Sequence, residues 1–181
     1  MLRWICLFFA SSGFTGFVPG VILGKSGKGG GLAGSLVALI MQIIWLPQMS
    51  SYAIVSCLII GSFLLGWLVV GPAEEFMLRM WGPQMRHICE VVEHDFNQTN
   101  IDEVHGQFIA GAPLLLATAQ TPAIWILLIG FVLFRFFDTV KPWPIKKVEQ
   151  CSNGSLAIML DDTIAGLLAA VITTIIMFIF F

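Results

Sequence analysis

The chain has 181 residues, of which 57% are hydrophobic and 11% charged, with a formal net charge of −2 and a mean hydropathy of +0.91. Soluble domains carry roughly 25% charged residues, so this composition excludes an ordinary water-soluble fold. It predicts an all-α, polytopic membrane helical bundle, whose spans of about 20 residues cross a hydrocarbon core of about 30 Å. The acidic balance and the lack of a Lys/Arg run exclude nucleic acid as a partner.

In chain order, residues 1–181 read as a single integral-membrane domain. Met1 to Leu23 has the outline of a signal peptide, but no clear small-x-small cleavage site follows its apolar part, and it reads instead as a first membrane-embedded helix. The Gly-rich stretch Gly24 to Gly31 holds Lys25 and Lys28 just ahead of an apolar run. Its backbone amides and the helix N-terminus behind it can hold an anion, although the order of a P-loop is absent. Leu32 to Leu46 and Tyr52 to Val70 carry no charge and are separated by Pro47 to Ser51, which predicts a helical hairpin in lipid. In the wet segment that follows, Met85, Ile88, Val92 and Phe96 recur at helical spacing between charged residues, predicting an amphipathic surface helix. A second hairpin pairs Val104 to Ala119 with Ala123 to Phe137 across Gln120, Thr121 and Pro122. Its Arg135 lies near an end, where it can snorkel. Thr163 to Phe181 is uninterrupted and can span alone. The four cysteines, Cys6, Cys57, Cys89 and Cys151, lack paired C-x-x-C spacing and read as small apolar residues rather than zinc ligands or disulfides.

Apart from Arg3 and Arg135, every charged residue falls in Lys25 to Lys28, Glu74 to Glu103 or Asp138 to Asp162. Each of these segments is separated from the next by a hairpin that goes out and comes back, so all three share one face. The Lys and Arg residues among them make that face cytoplasmic. Lys25, Glu93 and Lys147 are therefore expected inside, and Ser50 and Gln120 on the other side.

Three acidic groups sit where wet loops meet apolar helices: Asp102 with Glu103, Asp138, and Asp161 with Asp162. Asn100-Ile101-Asp102-Glu103 fits a helix-capping arrangement. Asp161 and Asp162 do not, because a helix begun near Ser155 would already be a turn old there. With Ala165 and Gly166 following, they suggest charge buried against a closely approaching neighbour. Asp138 can pair with Arg135 or Lys141. These carboxylates exceed what Arg135, Lys141, Lys25 and Lys28 would neutralise, which calls for a divalent cation. All-oxygen ligands favour Mg²⁺ or Mn²⁺, leaving the basic groups to grip phosphate. His87, His94 and His105 read as surface or cap residues, since none pairs with another at ligand spacing.

Arg135-Phe136-Phe137-Asp138-Thr139-Val140-Lys141-Pro142-Trp143-Pro144-Ile145, then Gly154, then Ile158-Met159-Leu160-Asp161-Asp162-Thr163-Ile164-Ala165-Gly166 closely resembles the bacterial phosphatidylglycerophosphatase A family. That family's Trp-Asp-Glu-x-x-Gly motif is met by Asp102, Glu103 and Gly106, with Ile101 in place of the tryptophan. Gly34-Ser35-Leu36 matches the end of its first loop, which here carries glycines and lysines where the family has prolines and a Pro-Gly-Thr step. The resemblance implies a Mg²⁺-dependent phosphatase of the bacterial inner membrane, which converts the phospholipid phosphatidylglycerophosphate to phosphatidylglycerol. It further implies Asp102, Glu103, Asp138, Asp161 and Asp162 as metal ligands and Asp138, Asp162 and Glu103 as the catalytic carboxylates. Arg135, Lys141, Lys25, Lys28 and Ser35 would bind the substrate. Water attack and an aspartyl-phosphate route both fit. A CDP-alcohol phosphotransferase would need an Asp-Gly-x-x-Ala-Arg signature, which is missing. A divalent-cation carrier should hold its acids near the midplane, whereas these lie at span ends.

Overall fold

The computed structural model describes residues 1–23, 29–82, 84–87, 90–92, 96, 98–117, 122–145 and 154–180. Its helices, numbered in chain order, are α1 (Leu2–Ala10), α2 (Val18–Leu23), α3 (Gly30–Ile44), α4 (Tyr52–Trp81), α5 (Ile101–Ala110), α6 (Ala123–Val140) and α7 (Ser155–Phe180). α4, α6 and α7 are long and apolar enough to cross a membrane. At 1.5 Å per residue they rise about 45, 27 and 39 Å. Lipid offers no hydrogen bonds, so only a helix that satisfies its own backbone is stable there. The outward faces are accordingly apolar: Ile60, Leu64 and Leu68 on α4, Val132 and Phe136 on α6, and Leu167, Val171 and Ile175 on α7 recur at turn spacing and are exposed.

The short helix α5 is the hub. All of its residues except Glu103 are buried, and α3, α4, α6 and α7 all pack against it. Small residues allow the approach. A Cβ on Gly166 of α7 would lie 2.5 Å from the Gly106 carbonyl of α5, and one on Gly130 of α6 would lie 2.6 Å from the Ala110 carbonyl. Polar side chains then lock the contacts. Gln107 donates to Gln42 Oε1 on α3 at 3.1 Å, and Gln42 donates back to the Gln107 carbonyl at 3.2 Å. His105 bridges Ser62 of α4 and Thr163 of α7, at 3.0 Å to each.

Three sequence expectations are corrected. Residues 1–23 are not one helix, because α1 ends at Ala10 and Ser11 closes the turn, its hydroxyl donating to the Leu7 carbonyl at 2.6 Å and accepting from the Phe14 amide at 3.1 Å. A helix of 9 residues rises about 14 Å, half of a bilayer core of about 30 Å. The apolar run from Val104 also breaks: α5 stops at Ala110 and a 3-10 turn, Ala112–Leu116, follows around Pro113, which has no N–H to extend the helix. Finally, the expected amphipathic helix over Met85 to Phe96 is not formed. Gln84–His87 (β1) and Glu90–Val92 (β2) pair antiparallel instead, with Met85 opposite Val91, in keeping with the strand preference of β-branched valine. Ile88 lies outside the described residues.

Candidate active site

Four helix ends converge on a cavity of about 280 Å³. The first turn of α5 supplies Asp102 and Glu103, and the second turn of α7 supplies Asp161 and Asp162. The end of α6 supplies Arg135 and Asp138, with Lys141 just beyond it, and the start of α3 supplies Gly31 and Leu32. The sequence folds this way locally because α7 begins at Ser155, more than a turn ahead of its acidic pair, so Asp161 and Asp162 sit within a formed helix rather than at its cap. Gly106 and Gly31 complete the convergence. A Cβ on Gly106 would run into the Phe134 ring and reach the Asp162 carbonyl at 2.9 Å, and one on Gly31 would strike the Glu103 carboxylate.

The basic residues are each matched to an acid. Lys141 donates to Asp161 Oδ2 at 2.7 Å, and the Asp162 amide donates to Asp161 Oδ1 at 3.0 Å. Arg135 Nη1 pairs with Asp138 Oδ2 at 2.9 Å and donates to Ser35 Oγ at 3.0 Å, while Ser35 donates to the Gly31 carbonyl at 2.9 Å. Asp138 meets Arg135, one of the two partners expected for it. Arg135 thus turns into the cavity rather than out along the membrane.

Asp102, Glu103 and Asp162 remain grouped. Each offers a carboxylate oxygen within 4.8 Å of the others. Glu103 Oε2 and Asp162 Oδ2 are buried with no hydrogen-bond partner. Burial pushes the Glu103 carboxyl up to about 8, and the charges of Asp162 and Asp138 act in the same direction, against a hydrogen bond with Asp102 and the charge of Arg135. Like charges held this close in a poorly hydrated site need a counter-charge. A hard divalent cation with oxygen ligands fits this donor set. Of the five carboxylates expected as ligands, three form this group, while Asp138 and Asp161 line the same cavity engaged by Arg135 and Lys141. Lys25 and Lys28 lie outside the described residues.

Two further expectations change. Asn100 occupies the N-cap position of α5, yet its side chain makes no capping hydrogen bond. His105 is buried inside the bundle, not at a surface or a cap, and holds α5 between α4 and α7. The buried amides of Gln42 and Gln107 went unread in the sequence. Gly31 stood in plain view within a glycine run, but nothing local pointed to Glu103 as its neighbour.

Fold and site together define a helical membrane protein with a carboxylate-rich pocket framed by arginine and lysine. Over residues 8–177 the chain matches the family model for phosphatidylglycerophosphatase A, and it belongs to that family of phosphatases. It is 27% identical over 157 residues to phosphatidylglycerophosphatase A of Haemophilus influenzae, covering 87% of this chain and 82% of that one. Its identity to phosphatidylglycerophosphatase A of Escherichia coli is 36% over 77 residues, covering 42% of each chain. A Bacteroides thetaiotaomicron protein whose name provisionally designates it a phosphatidylinositol-3-phosphatase is 28% identical over 156 residues, covering 86% of this chain and 80% of that one. No solved structure matches the chain.

Proposed function

We propose that the chain hydrolyses the terminal phosphate of phosphatidylglycerophosphate to give phosphatidylglycerol and inorganic phosphate. This would occur in phospholipid biosynthesis, at the cytoplasmic face of the bacterial inner membrane, with Mg²⁺ as cofactor. One observation carries the reading: two buried carboxylate oxygens without partners, Glu103 Oε2 and Asp162 Oδ2, in a cavity that also holds Arg135 and Lys141. An acidic pocket alone would repel a phosphate, and a basic one alone would leave the carboxylates unbalanced; a cation and a phosphate together satisfy both sets.

Asp102, Glu103 and Asp162 would hold the Mg²⁺, which when bound neutralises the carboxylates and draws charge from the phosphate oxygens. Arg135 and Lys141 grip the remaining phosphate oxygens, exchanging part of their pairing with Asp138 and Asp161 for the substrate. Ser35 steers the guanidinium from behind. Attack on phosphorus needs a carboxylate close to the phosphate and outside the cation group. Asp138, held by Arg135 at the cavity wall, meets that condition as base for the attacking water or as nucleophile. With Asp138 as base, the water oxygen bonds to phosphorus as its proton passes to Asp138, the bond from phosphorus to the glycerol oxygen breaks, and Asp138 returns the proton to that oxygen. With Asp138 as nucleophile, the same bond breaks as an aspartyl-phosphate forms, the glycerol oxygen takes a proton from water, and a second water hydrolyses the aspartyl-phosphate to release inorganic phosphate. The common-face placement is supported by the charge pattern, since each wet segment is separated from the next by an apolar hairpin.

The name of the Bacteroides relative makes a phosphoinositide the second substrate to weigh. Phosphate release by the purified chain, measured in detergent on phosphatidylglycerophosphate and on phosphatidylinositol 3-phosphate with Mg²⁺, separates the two. At least about tenfold faster release from phosphatidylglycerophosphate is expected. Equal or faster release from the phosphoinositide overturns the substrate, and none from either overturns the phosphatase reading.

A further inference from the structure

Three segments remote in sequence meet at Asn100, which is completely buried. Its backbone amide donates to the Ala10 carbonyl at the end of α1 at 2.9 Å. Its side-chain Nδ2 donates to Thr15 Oγ1 at 3.1 Å and to the Gly30 carbonyl, in the first turn of α3, at 3.3 Å. The orientation of the amide follows from chemistry, since a carbonyl can only accept and the NH₂ must therefore face Gly30. The contact is close on the α3 side as well: a Cβ on Gly34 would lie 2.5 Å from the Asn100 carbonyl.

This junction stands directly behind the acidic pocket. Gly31 and Leu32 follow Gly30 and line the cavity on one side, and Asp102 and Glu103 follow Asn100 and line it on the other. The bare backbone of Gly31 rests against the Glu103 carboxylate. A shift of the α3 start relative to the α5 start would therefore move the Glu103 oxygens relative to Asp162. A side chain that only started α5 would spend its oxygen on the helix's own amides, whereas this one spends its NH₂ on two neighbours and leaves Oδ1 without a partner.

We propose that Asn100 is a positioning residue: its side-chain amide, shared between Thr15 and the Gly30 carbonyl, sets the gap between the starts of α3 and α5 and so the cation affinity of the acidic pocket. The inference rests on the reading of Asp102, Glu103 and Asp162 as a cation site. Asn100→Asp keeps the size of the side chain but replaces the donor with an acceptor, which repels the Gly30 carbonyl and can keep Thr15 only if that hydroxyl turns from the Ser11 and Ser12 carbonyls to donate. The test is binding of Mn²⁺ to the full chain in detergent, followed by loss of the free-ion paramagnetic resonance signal, alongside the melting temperature and the Mg²⁺ dependence of phosphate release. The expected result is a rise of at least about tenfold in the dissociation constant for Mn²⁺, and a parallel rise in half-saturating Mg²⁺, with release largely restored at high Mg²⁺. A purely structural role predicts a lower melting temperature with an unchanged dissociation constant per folded molecule, and that result overturns the proposal. Should Asn100→Asp not accumulate as folded protein, Thr15→Val removes one of the two acceptors at nearly constant volume. A rise of about threefold is expected there, and no rise counts against the proposal in the same way. Wild-type chain that binds no Mn²⁺ overturns the cation site and this inference together, while wild-type binding with unchanged variants overturns the role of Asn100 alone.

Discussion

Arg135 divides one nitrogen between Asp138 and Ser35, at 2.9 and 3.0 Å. A lysine ammonium can also donate twice from one nitrogen, but it ends a shorter side chain and lacks the further guanidinium nitrogens with which an arginine can hold a phosphate at the same time. Arg135→Lys should therefore lower kcat/KM for phosphate release by about tenfold or more while the protein stays folded, the range expected when a charge-stabilising contact is weakened. Steady-state kinetics on the purified variant check this. Glu75→Gln serves as a control, because Glu75 pairs with Arg79 on an exposed part of α4, and exposed pairs of this kind contribute little; its activity should stay within about twofold of wild type. At this scale much of the site was legible. Asp161 and Asp162 could be recognised as something other than a cap from the apolar residues before them, and Arg135 stood out as a charge in an apolar run. Asn100 was misread because N-cap chemistry is local, whereas its partners Thr15 and Gly30 are 85 and 70 residues away. No spacing rule reaches that far.

Helix α5 is only 10 residues long, yet the site depends on it, because α6 and α7 reach it through glycines. Gly106→Ala should be costly, since its Cβ would meet the Phe134 ring and the Asp162 carbonyl, and overpacking of this kind costs about 1–3 kcal/mol. A melting temperature lowered by several degrees in detergent is the expected outcome. Gly61→Ala on α4 has nothing within 4 Å of the added Cβ and should leave the melting temperature unchanged or slightly raised. An equal drop in both variants would contradict the close-approach account. The long apolar helices α4, α6 and α7 were legible because long, nearly uncharged apolar runs have few other uses. The break after Ala110 was harder to read, since hydropathy reports burial in lipid or protein but not whether the backbone continues as α-helix; Pro113 was the signal available. The β1–β2 hairpin was masked by a spacing of apolar residues compatible with a helix, and the adjacent valines at 91 and 92 were the competing sign.

Across the whole molecule, the charges cluster by segment and the apolar helices alternate with them, which yields a topology test. With the native cysteines replaced, Ser50→Cys, in the turn between α3 and α4, should react with an impermeant thiol reagent added outside intact cells, and Glu75→Cys, toward the far end of α4, should not. Labelling of both, or of Glu75→Cys alone, would reject the common cytoplasmic face. On the proposed function, the pocket of Asp102, Glu103 and Asp162 is the seat of a cation-dependent lipid phosphatase. The most direct measurement is phosphate release from phosphatidylglycerophosphate by purified wild-type chain and by Asp162→Asn, each titrated with Mg²⁺ after chelation, with melting temperatures taken in parallel. The account predicts that chelation abolishes wild-type release and Mg²⁺ restores it. It also predicts that Asp162→Asn loses at least about 10²-fold in specific activity, while melting no lower than wild type, because a buried, unbalanced charge has been removed. Release that persists without divalent cation, or an Asp162→Asn variant with normal specific activity at saturating Mg²⁺, would contradict it.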